Sequence, residues 1–186
     1  YNMKKIYQIL TTILFFLMGC STDIDTLQLI GDKLYEIDSK TPFSGSVVGT
    51  FKKDGFKGQG YVKDGERDGL WTEWYDNGKK RSEGTWKDGK QDGLWTEWWD
   101  NGQKESEGNW KDGRYDGLWT GWWKNGQKES VGNWKNGKAD GLWNLWYENG
   151  QIMLEFEYKN GKPNDSFLFK RWNEDGTEKT EPFKWE

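Results

Sequence analysis

Histidine is absent from the 186-residue sequence, and cysteine occurs once. Without histidine the chain lacks the commonest general base, the commonest metal ligand and every Ser-His or Cys-His nucleophile system. A single cysteine excludes an intramolecular disulfide and any CxxC site. We therefore expect no catalytic residues, no metal and no cofactor, and a function that is not enzymatic.

Blocks of basic residues are also missing once the first 19 residues are set aside. The chain has 27 basic and 31 acidic residues and a formal net charge of −4. Because nucleic-acid-binding proteins usually carry a concentrated basic footprint, we expect no nucleic acid partner.

Aliphatic residues are scarce beyond position 40, whereas the chain holds 15 Trp, 8 Tyr and 9 Phe. The charged fraction of 31% is typical of disordered chains, but disordered chains are poor in aromatic residues. We therefore expect a folded protein whose core is aromatic.

The N-terminal segment predicts export and lipid attachment. Lys4 and Lys5 precede an apolar run over Ile6–Met18, which suits the central region of a signal peptide and is too short to cross a bilayer. The run ends in Leu17-Met18-Gly19-Cys20, which resembles the bacterial lipobox. The resemblance implies that residues 1–19 are removed and that Cys20 becomes the lipid-modified N-terminus. A plain signal peptide and an uncleaved anchor are the alternatives.

Lipid on Cys20 predicts a protein held at the membrane of the bacterial cell envelope. In a cell with two membranes, Ser21 after the cysteine favours the outer membrane. Residues 20–40 are polar and acidic, and we expect them to form a tether.

The rest of the chain repeats with a period of 24 residues. The motif Asp-Gly-Leu-Trp begins at four positions: Asp68, Asp92, Asp116 and Asp140. Each unit also contains an Asn-Gly pair, at Asn77, Asn101, Asn125 and Asn149. A second pair follows at Asp88, Asp112, Asn136 and Asn160. A fixed period of this size indicates a repeat array.

Two turns per unit predict two strands per unit, and Asn-Gly is favoured in two-residue type I′ hairpins. A two-residue loop at Asn77-Gly78 would place Tyr75 opposite Lys80, Trp74 opposite Arg81 and Trp71 opposite Gly84. The same register places Trp95 opposite Gly108 and Trp119 opposite Gly132. An indole ring can then lie over a glycine and shield its backbone.

Side-chain alternation separates two faces. One face carries an aromatic strip, which we interpret as the core: Trp71, Trp86, Trp95, Trp110, Trp119, Trp134 and Trp143. The other carries Leu70, Thr72, Arg81 and Glu83 together with the more exposed rings. These rings are the candidate binding residues Trp74, Trp98, Trp122 and Trp146.

The Asp-Gly-Leu-Trp aspartates, Asp68 to Asp140, invite comparison with calcium-binding β-rolls. Calcium needs six to eight oxygen ligands, and these loops supply one or two carboxylates each. We expect each aspartate to cap a turn by bonding its own backbone.

The unit Gly-Leu-Trp-x-x-Trp-(Trp/Tyr)-x-Asn-Gly-Gln resembles the MORN repeat variant of bacteria. The segment Thr41-Pro42-Phe43-Ser44-Gly45 is similar to the start of YwqK-type antitoxin proteins. The resemblance covers about residues 41–186, with regular repeats over 66–161 and degenerate repeats at both ends. It implies an all-β fold: an elongated, curved, single-layer antiparallel sheet of stacked β-hairpins.

The resemblance also implies a surface for scaffolding or contact. Our first hypothesis is an envelope lipoprotein whose sheet binds another protein. An alternative is a carbohydrate- or cell-wall-binding module that uses the exposed tryptophans. A second alternative is an antitoxin or immunity-type partner of a toxin.

Overall fold

A computed structural model describes residues 21–30, 32–50, 56–164 and 169–179 of the chain. The predicted signal peptide and Cys20 lie outside these residues, so both stay predictions. Within the described ranges, no helix has the length and apolar character needed to cross a membrane.

The described residues form sixteen strands and one 3-10 helix, Ile24–Thr26. The strands before the regular repeats are β1 (Thr22–Asp23), β2 (Leu27–Ile30), β3 (Lys33–Glu36), β4 (Gly45–Thr50) and β5 (Lys57–Lys63). The first three regular units supply β6 (Glu66–Trp74), β7 (Lys80–Lys87), β8 (Lys90–Trp98), β9 (Lys104–Lys111), β10 (Arg114–Trp122) and β11 (Lys128–Lys135). The remaining strands are β12 (Lys138–Ala139), β13 (Gly141–Trp146), β14 (Ile152–Lys159), β15 (Lys162–Pro163) and β16 (Lys170–Arg171).

Fourteen of these strands form one open sheet, and β2 and β3 form a separate hairpin. From β4 to β11 each strand pairs with the next along the chain, and every one of these pairings is antiparallel. The short β1 adds to the edge of β4 in parallel orientation. The predicted all-β sheet of stacked hairpins is confirmed.

The two turns of each unit differ in type. Asp88 and Gly89 have φ values of 47° and 72°, and Lys87 pairs with Lys90, so this is the two-residue type I′ turn. At Asn77-Gly78 only the glycine has a positive φ, of 78°. The Gly78 N–H donates to the Tyr75 carbonyl at 2.9 Å, and the Tyr75 N–H donates to Lys79 at 3.0 Å. The type I′ prediction for Asn-Gly is therefore wrong: the loop has three residues, with glycine at its bulge.

A second irregularity restores the predicted register. The pairing shifts by one residue between Glu73 and Trp74, so Trp74 lies opposite Lys80 and not opposite Arg81 as predicted. The predicted pairing of Tyr75 with Lys80 is wrong for the same reason. Beyond the shift, Trp71 lies opposite Gly84, as predicted, and the next two units repeat this pairing at Trp95 and Trp119.

The same shift moves Arg81 to the opposite face from the one predicted. We call the face of Trp71 the inner face and the face of Leu70 the outer face. The Arg81 guanidinium lies 2.9 Å from the Glu73 carboxylate and 3.9 Å from the centre of the Phe56 ring. Glu73 is two residues from Trp71, so Arg81 contacts the inner face.

The first tryptophan of each unit covers the glycine of the preceding strand. A Cβ added to Gly84 would lie 1.8 Å from Trp95, and one added to Gly108 would lie 2.0 Å from Trp119. The expected shielding of glycine by an indole therefore occurs, but the covering ring comes from the next unit and not from the glycine's own hairpin.

Two clusters of buried side chains close the ends of the array. At the N-terminal end Phe43, Val47, Val62 and Trp71 form the core. Half-buried residues packed against it include Ile24, Leu27 and Leu34. We expected residues 20–40 to form a tether, and within this segment Ile24, Leu27 and Leu34 cover the first strands of the sheet.

At the other end the core contains Ala139, Trp143 and Phe156, with Leu154 and Phe169 packed against it. Phe156 stands where the earlier units have glycine, and it lies opposite Trp143. In an internal unit the ring of the next unit covers the glycine at this position. Here the side chain of Phe156 fills the space that such a ring would occupy.

Candidate interaction surface

A row of exposed leucines runs along the outer face, one from each unit. The exposed fractions of these side chains fall from 58% to 43% along the array: Leu70, Leu94, Leu118 and Leu142. Tyr61, at 43%, continues the row toward the first unit. Sequence reasoning placed Leu70 on this face but did not identify the row as a candidate surface. The leucine that recurs before the first tryptophan of each unit was the available signal.

A polar row separates the leucines from the outer-face tryptophans. In the first regular unit the Glu83 carboxylate accepts hydrogen bonds from Lys80 at 2.6 Å and from Thr72 at 3.1 Å. The hydrogen bond from Lys80 is the main reason why the pKa of Glu83 lies below its usual value. Glu107 has the equivalent bonds from Lys104 and Thr96. The charges of this row are therefore neutralised within the protein in the first two regular units.

The four candidate binding tryptophans lie beyond the polar row and are half-buried: Trp74, Trp98, Trp122 and Trp146. A lysine ammonium group lies over three of these rings. The distances to the ring centres are 5.7 Å for Lys80 and Trp98, 5.5 Å for Lys104 and Trp122, and 6.0 Å for Lys128 and Trp146. These tryptophans are thus less open to solvent than the leucines.

The inner-face strip is partly a core and partly a surface. Trp71, Trp95 and Trp143 are buried, whereas Trp119 is half-buried. The second tryptophan of each unit is also half-buried: Trp86, Trp110 and Trp134. Edge-to-face contacts join neighbouring units, with ring centres 5.8 Å apart for Trp86 and Trp95 and 5.4 Å apart for Trp134 and Trp143. Such pairs stabilise a sheet that has one layer and little aliphatic core.

Side chains along the Asn-Gly edge link each unit to the next. The Asn101 amide donates to the Lys124 carbonyl at 2.8 Å, and its oxygen accepts from the Gln103 N–H at 2.9 Å. Asn77, Asn125 and Asn149 make equivalent bonds. These contacts explain why asparagine recurs here although its φ is not positive.

The aspartate row caps turns, but not as we expected. Asp92, Asp116 and Asp140 each accept a hydrogen bond from a backbone N–H twenty residues further on, at distances of 3.2, 3.0 and 3.1 Å. The capped turn therefore belongs to the next unit and not to the aspartate's own backbone. Ser44 has the same role toward Asp64, at 2.8 Å.

The inner face carries neighbouring carboxylates where the sequences of the units differ. Glu105 occupies the position that Arg81 holds one unit earlier. Burial raises the pKa of Glu105, and the nearby charge of Glu97 adds to the increase. The described residues nevertheless hold no group of three or more ligating side chains that could bind a metal ion.

Taken together, these features define a repeat protein in which β-hairpin units stack edge to edge and bond to one another through their turns. A family model described as the MORN repeat variant matches residues 67–88, 91–112, 115–136 and 139–160. The chain therefore carries four MORN repeat variants, which confirms the resemblance over the regular units. MORN repeats are generally non-catalytic and serve in binding. The search of curated proteins gives no match.

Proposed function

We propose that this protein is a non-enzymatic lipoprotein of the bacterial cell envelope, whose outer sheet face binds another protein. The row of exposed leucines is the observation that carries this proposal. Leu70, Leu94 and Leu118 are each more than half exposed, and they recur in register along one face. The intervening strands place Thr85, Asn109 and Asn133 between these leucines. The row is therefore a regular series of apolar side chains, and a partner with apolar groups at the same spacing would bind to it.

The position of the leucines in the sequence supports a role in binding a partner and not in the core of the protein. Each leucine directly precedes a tryptophan that packs on the inner face, so the leucine cannot turn inward without moving that ring. Folding therefore leaves between 43% and 58% of each of these four residues exposed to water. A partner that covers them would gain the hydrophobic free energy that folding leaves unused.

The anchor is the second part of the proposal. The lipobox-like Leu17-Met18-Gly19-Cys20 supports lipid attachment at Cys20. The described chain begins at Ser21, and β1 follows at once on the edge of the sheet. A lipid on Cys20 would therefore hold the array close to the membrane surface.

A carbohydrate- or cell-wall-binding module is the second candidate. The half-buried rings of Trp98, Trp122 and Trp146 support it, because indole faces can stack on sugars. The lysine over each of these rings argues against it, because the ammonium group occupies a face that a sugar would need.

Site-specific photo-crosslinking in the producing cells tests the interaction surface. A photoreactive residue at Leu94 or Leu118 should give a discrete protein adduct. The same residue at the exposed Gln103, on the Asn-Gly edge, is the matched control and should give none. The proposal fails if the two leucine positions give no adduct beyond that of Gln103.

The anchor requires its own measurement. Metabolic labelling with a fatty acid should mark the parent protein, and Cys20→Ser should abolish both the label and membrane fractionation. Unchanged processing and fractionation of Cys20→Ser would exclude the lipoprotein.

Binding to purified peptidoglycan tests the second candidate, the carbohydrate- or cell-wall-binding module. Loss of this binding on Trp98→Ala with Trp122→Ala would support that candidate instead.

A further inference from the structure

Two rows of basic residues border the type I′ turns along one edge of the sheet. In each regular unit the residue before the turn and the residue after it are both cationic. The pairs are Lys87 with Lys90, Lys111 with Arg114, Lys135 with Lys138, and Lys159 with Lys162. All eight side chains are exposed. Their neighbours Trp86, Trp110 and Trp134 belong to the inner face, so alternation places the cations on the outer face.

Like charges in directly opposite strand positions destabilise a sheet. The first such turn avoids this cost, because Lys63 lies opposite Glu66. The next four turns do not avoid it. Among the described parts of the chain, none of the eight cations forms an ion pair, whereas Lys80 and Lys104 are neutralised by glutamates. The same turns also hold five aspartates: Asp88, Asp92, Asp112, Asp116 and Asp140. The eight cations outnumber them, so this edge carries an excess of positive charge although the net charge of the chain is −4.

The leucine row runs beside this basic edge on the same face. Leu94 follows Lys90 by four residues, and Leu118 follows Arg114 by the same number. The outer face therefore presents two parallel stripes along the array. One consists of leucines that alternate with Thr85, Asn109 and Asn133, and the other has an excess of cations.

Both stripes repeat every two strands. Strands lie about 4.8 Å apart, so the repeat is roughly 10 Å. Seven residues of an α-helix rise about 10.5 Å, which is nearly the same distance. From Leu70 on β6 to Leu142 on β13 there are six strand spacings, which is about 29 Å and corresponds to a helix of roughly 19 residues.

We infer that the partner bound by the outer face is an amphipathic α-helix that lies across the strands. Its apolar residues recur every seven positions and pack against the leucines. Acidic residues along one flank pair with the basic edge and relieve the repulsion between opposed cations. This inference rests on the proposed function and adds the chemistry of the partner. A polyanion, a second copy of this chain and an anionic membrane are the competing occupants.

A designed peptide tests the inference directly. The probe is a fluorescein-labelled helix of about three heptads, with leucine at the a and d positions and glutamate along one flank. One control peptide replaces the glutamates with lysine, and a second replaces the leucines with serine. Fluorescence anisotropy measures the binding of each peptide to the full chain in mild detergent. We expect binding of the acidic leucine peptide alone.

Variants of the protein test each stripe. Leu94→Ser with Leu118→Ser should weaken binding about tenfold. Lys111→Glu with Lys135→Glu should weaken it about tenfold at low ionic strength and less at high ionic strength. Gln103→Glu with Gln127→Glu and Gln151→Glu adds negative charge at exposed positions on the opposite edge and should leave binding almost unchanged. Circular dichroism of each variant should match that of the parent, since all the altered side chains are exposed.

Several outcomes would overturn the inference. The parent chain could fail to bind the acidic helix, or the three glutamine substitutions on the opposite edge could weaken binding as much as Lys111→Glu with Lys135→Glu does. Equal binding of the serine peptide would identify a polyanion as the occupant. A parent dimer that Leu94→Ser with Leu118→Ser converts to a monomer in light scattering would identify a second copy. Binding of phosphatidylglycerol vesicles through these residues, without peptide binding, would identify a membrane.

Failure of this inference is distinguishable from failure of the proposed function. A crosslinked protein at Leu94 without binding of the helical peptide would retain the interaction surface and reject only the helical partner. Absence of both signals would reject the two together.

Discussion

Alanine at Gly108 should destabilise the array because the position has no room for a Cβ. The added atom would lie 2.0 Å from Cε3 of Trp119, where ordinary contacts are 3.4 Å or longer. The ring must therefore move by more than an ångström. Trp119 also contacts Tyr115, with ring centres 4.6 Å apart, so the movement disturbs a second ring.

The expected magnitude follows from two opposing effects. Overpacking of a well-packed site costs about 1–3 kcal/mol. Replacing glycine within a strand returns roughly 0.5–1 kcal/mol, because alanine loses less backbone entropy on folding. Gly108 has no positive φ, so backbone strain adds nothing to the cost. We therefore expect Gly108→Ala to lower the free energy of unfolding by about 1–2 kcal/mol.

Urea denaturation followed by tryptophan fluorescence measures this change. A double-mutant cycle identifies its cause, because Trp119→Leu removes the ring that the new Cβ meets. The double variant should be more stable than the sum of the single effects predicts, by at least about 0.5 kcal/mol. Trp71→Leu lies two units away and should combine additively with Gly108→Ala. If Gly108→Ala is as stable as the parent, the covering of glycine by the next unit is not a steric constraint.

Three further predictions concern the contacts between units. Asn101→Ala removes two hydrogen bonds on the Asn-Gly edge and should lower the free energy of unfolding by about 1–2 kcal/mol. Asn109→Ala, at an exposed position, is the control. Equal urea midpoints for the two variants would contradict the prediction. Asp116→Ala removes the carboxylate that lies 3.0 Å from the Asn136 N–H and should lower the free energy of unfolding by about 1 kcal/mol. Hydrogen exchange at the Asn136 amide should become faster, which gives a local measurement. Burial and Glu97 raise the pKa of Glu105 in the folded state, so the folded protein binds this proton more tightly than the unfolded chain does. Protonated Glu105 therefore stabilises the folded state. This contribution is complete below the pKa of Glu105 in the unfolded chain and is lost as the pH rises through its pKa in the folded protein. Glu105→Gln should therefore be more stable than the parent at pH 7, by at most about 1 kcal/mol, and this gain in stability should vanish near pH 4. Thermal unfolding of both proteins between pH 4 and pH 7 measures the gain. A gain that is constant with pH would contradict a raised pKa of Glu105.

Much of the fold follows from local sequence. The 24-residue period and the paired Gly-containing turns predict stacked hairpins, and side-chain alternation then assigns Trp71 and Leu70 to opposite faces. The pairing of Trp71 with Gly84 was also predictable. It survived an incorrect turn type because the three-residue loop and the irregularity at Arg81 each shift the pairing by one residue in opposite directions.

The candidate surface was less predictable than the fold. Trp98 and Trp122 were chosen from the sequence because a single-layer sheet cannot bury both faces. The structure leaves these rings half-buried and exposes Leu94 and Leu118 more fully. The basic edge was missed because its lysines are dispersed in the sequence, two to a turn, and only the stacking of units brings them into rows.

The sequence by itself determined the repeat, the strands and the two faces, since these depend on residues within one hairpin. The tertiary structure decided how the units hold one another. The ring over Gly84 comes from Trp95, the carboxylate of Asp116 caps the turn at Asn136, and the amide of Asn101 reaches Lys124. Each of these contacts joins residues 11 to 23 positions apart in neighbouring units. The sheet register alone brings them together, and the same stacking aligns the exposed leucines beside the lysines.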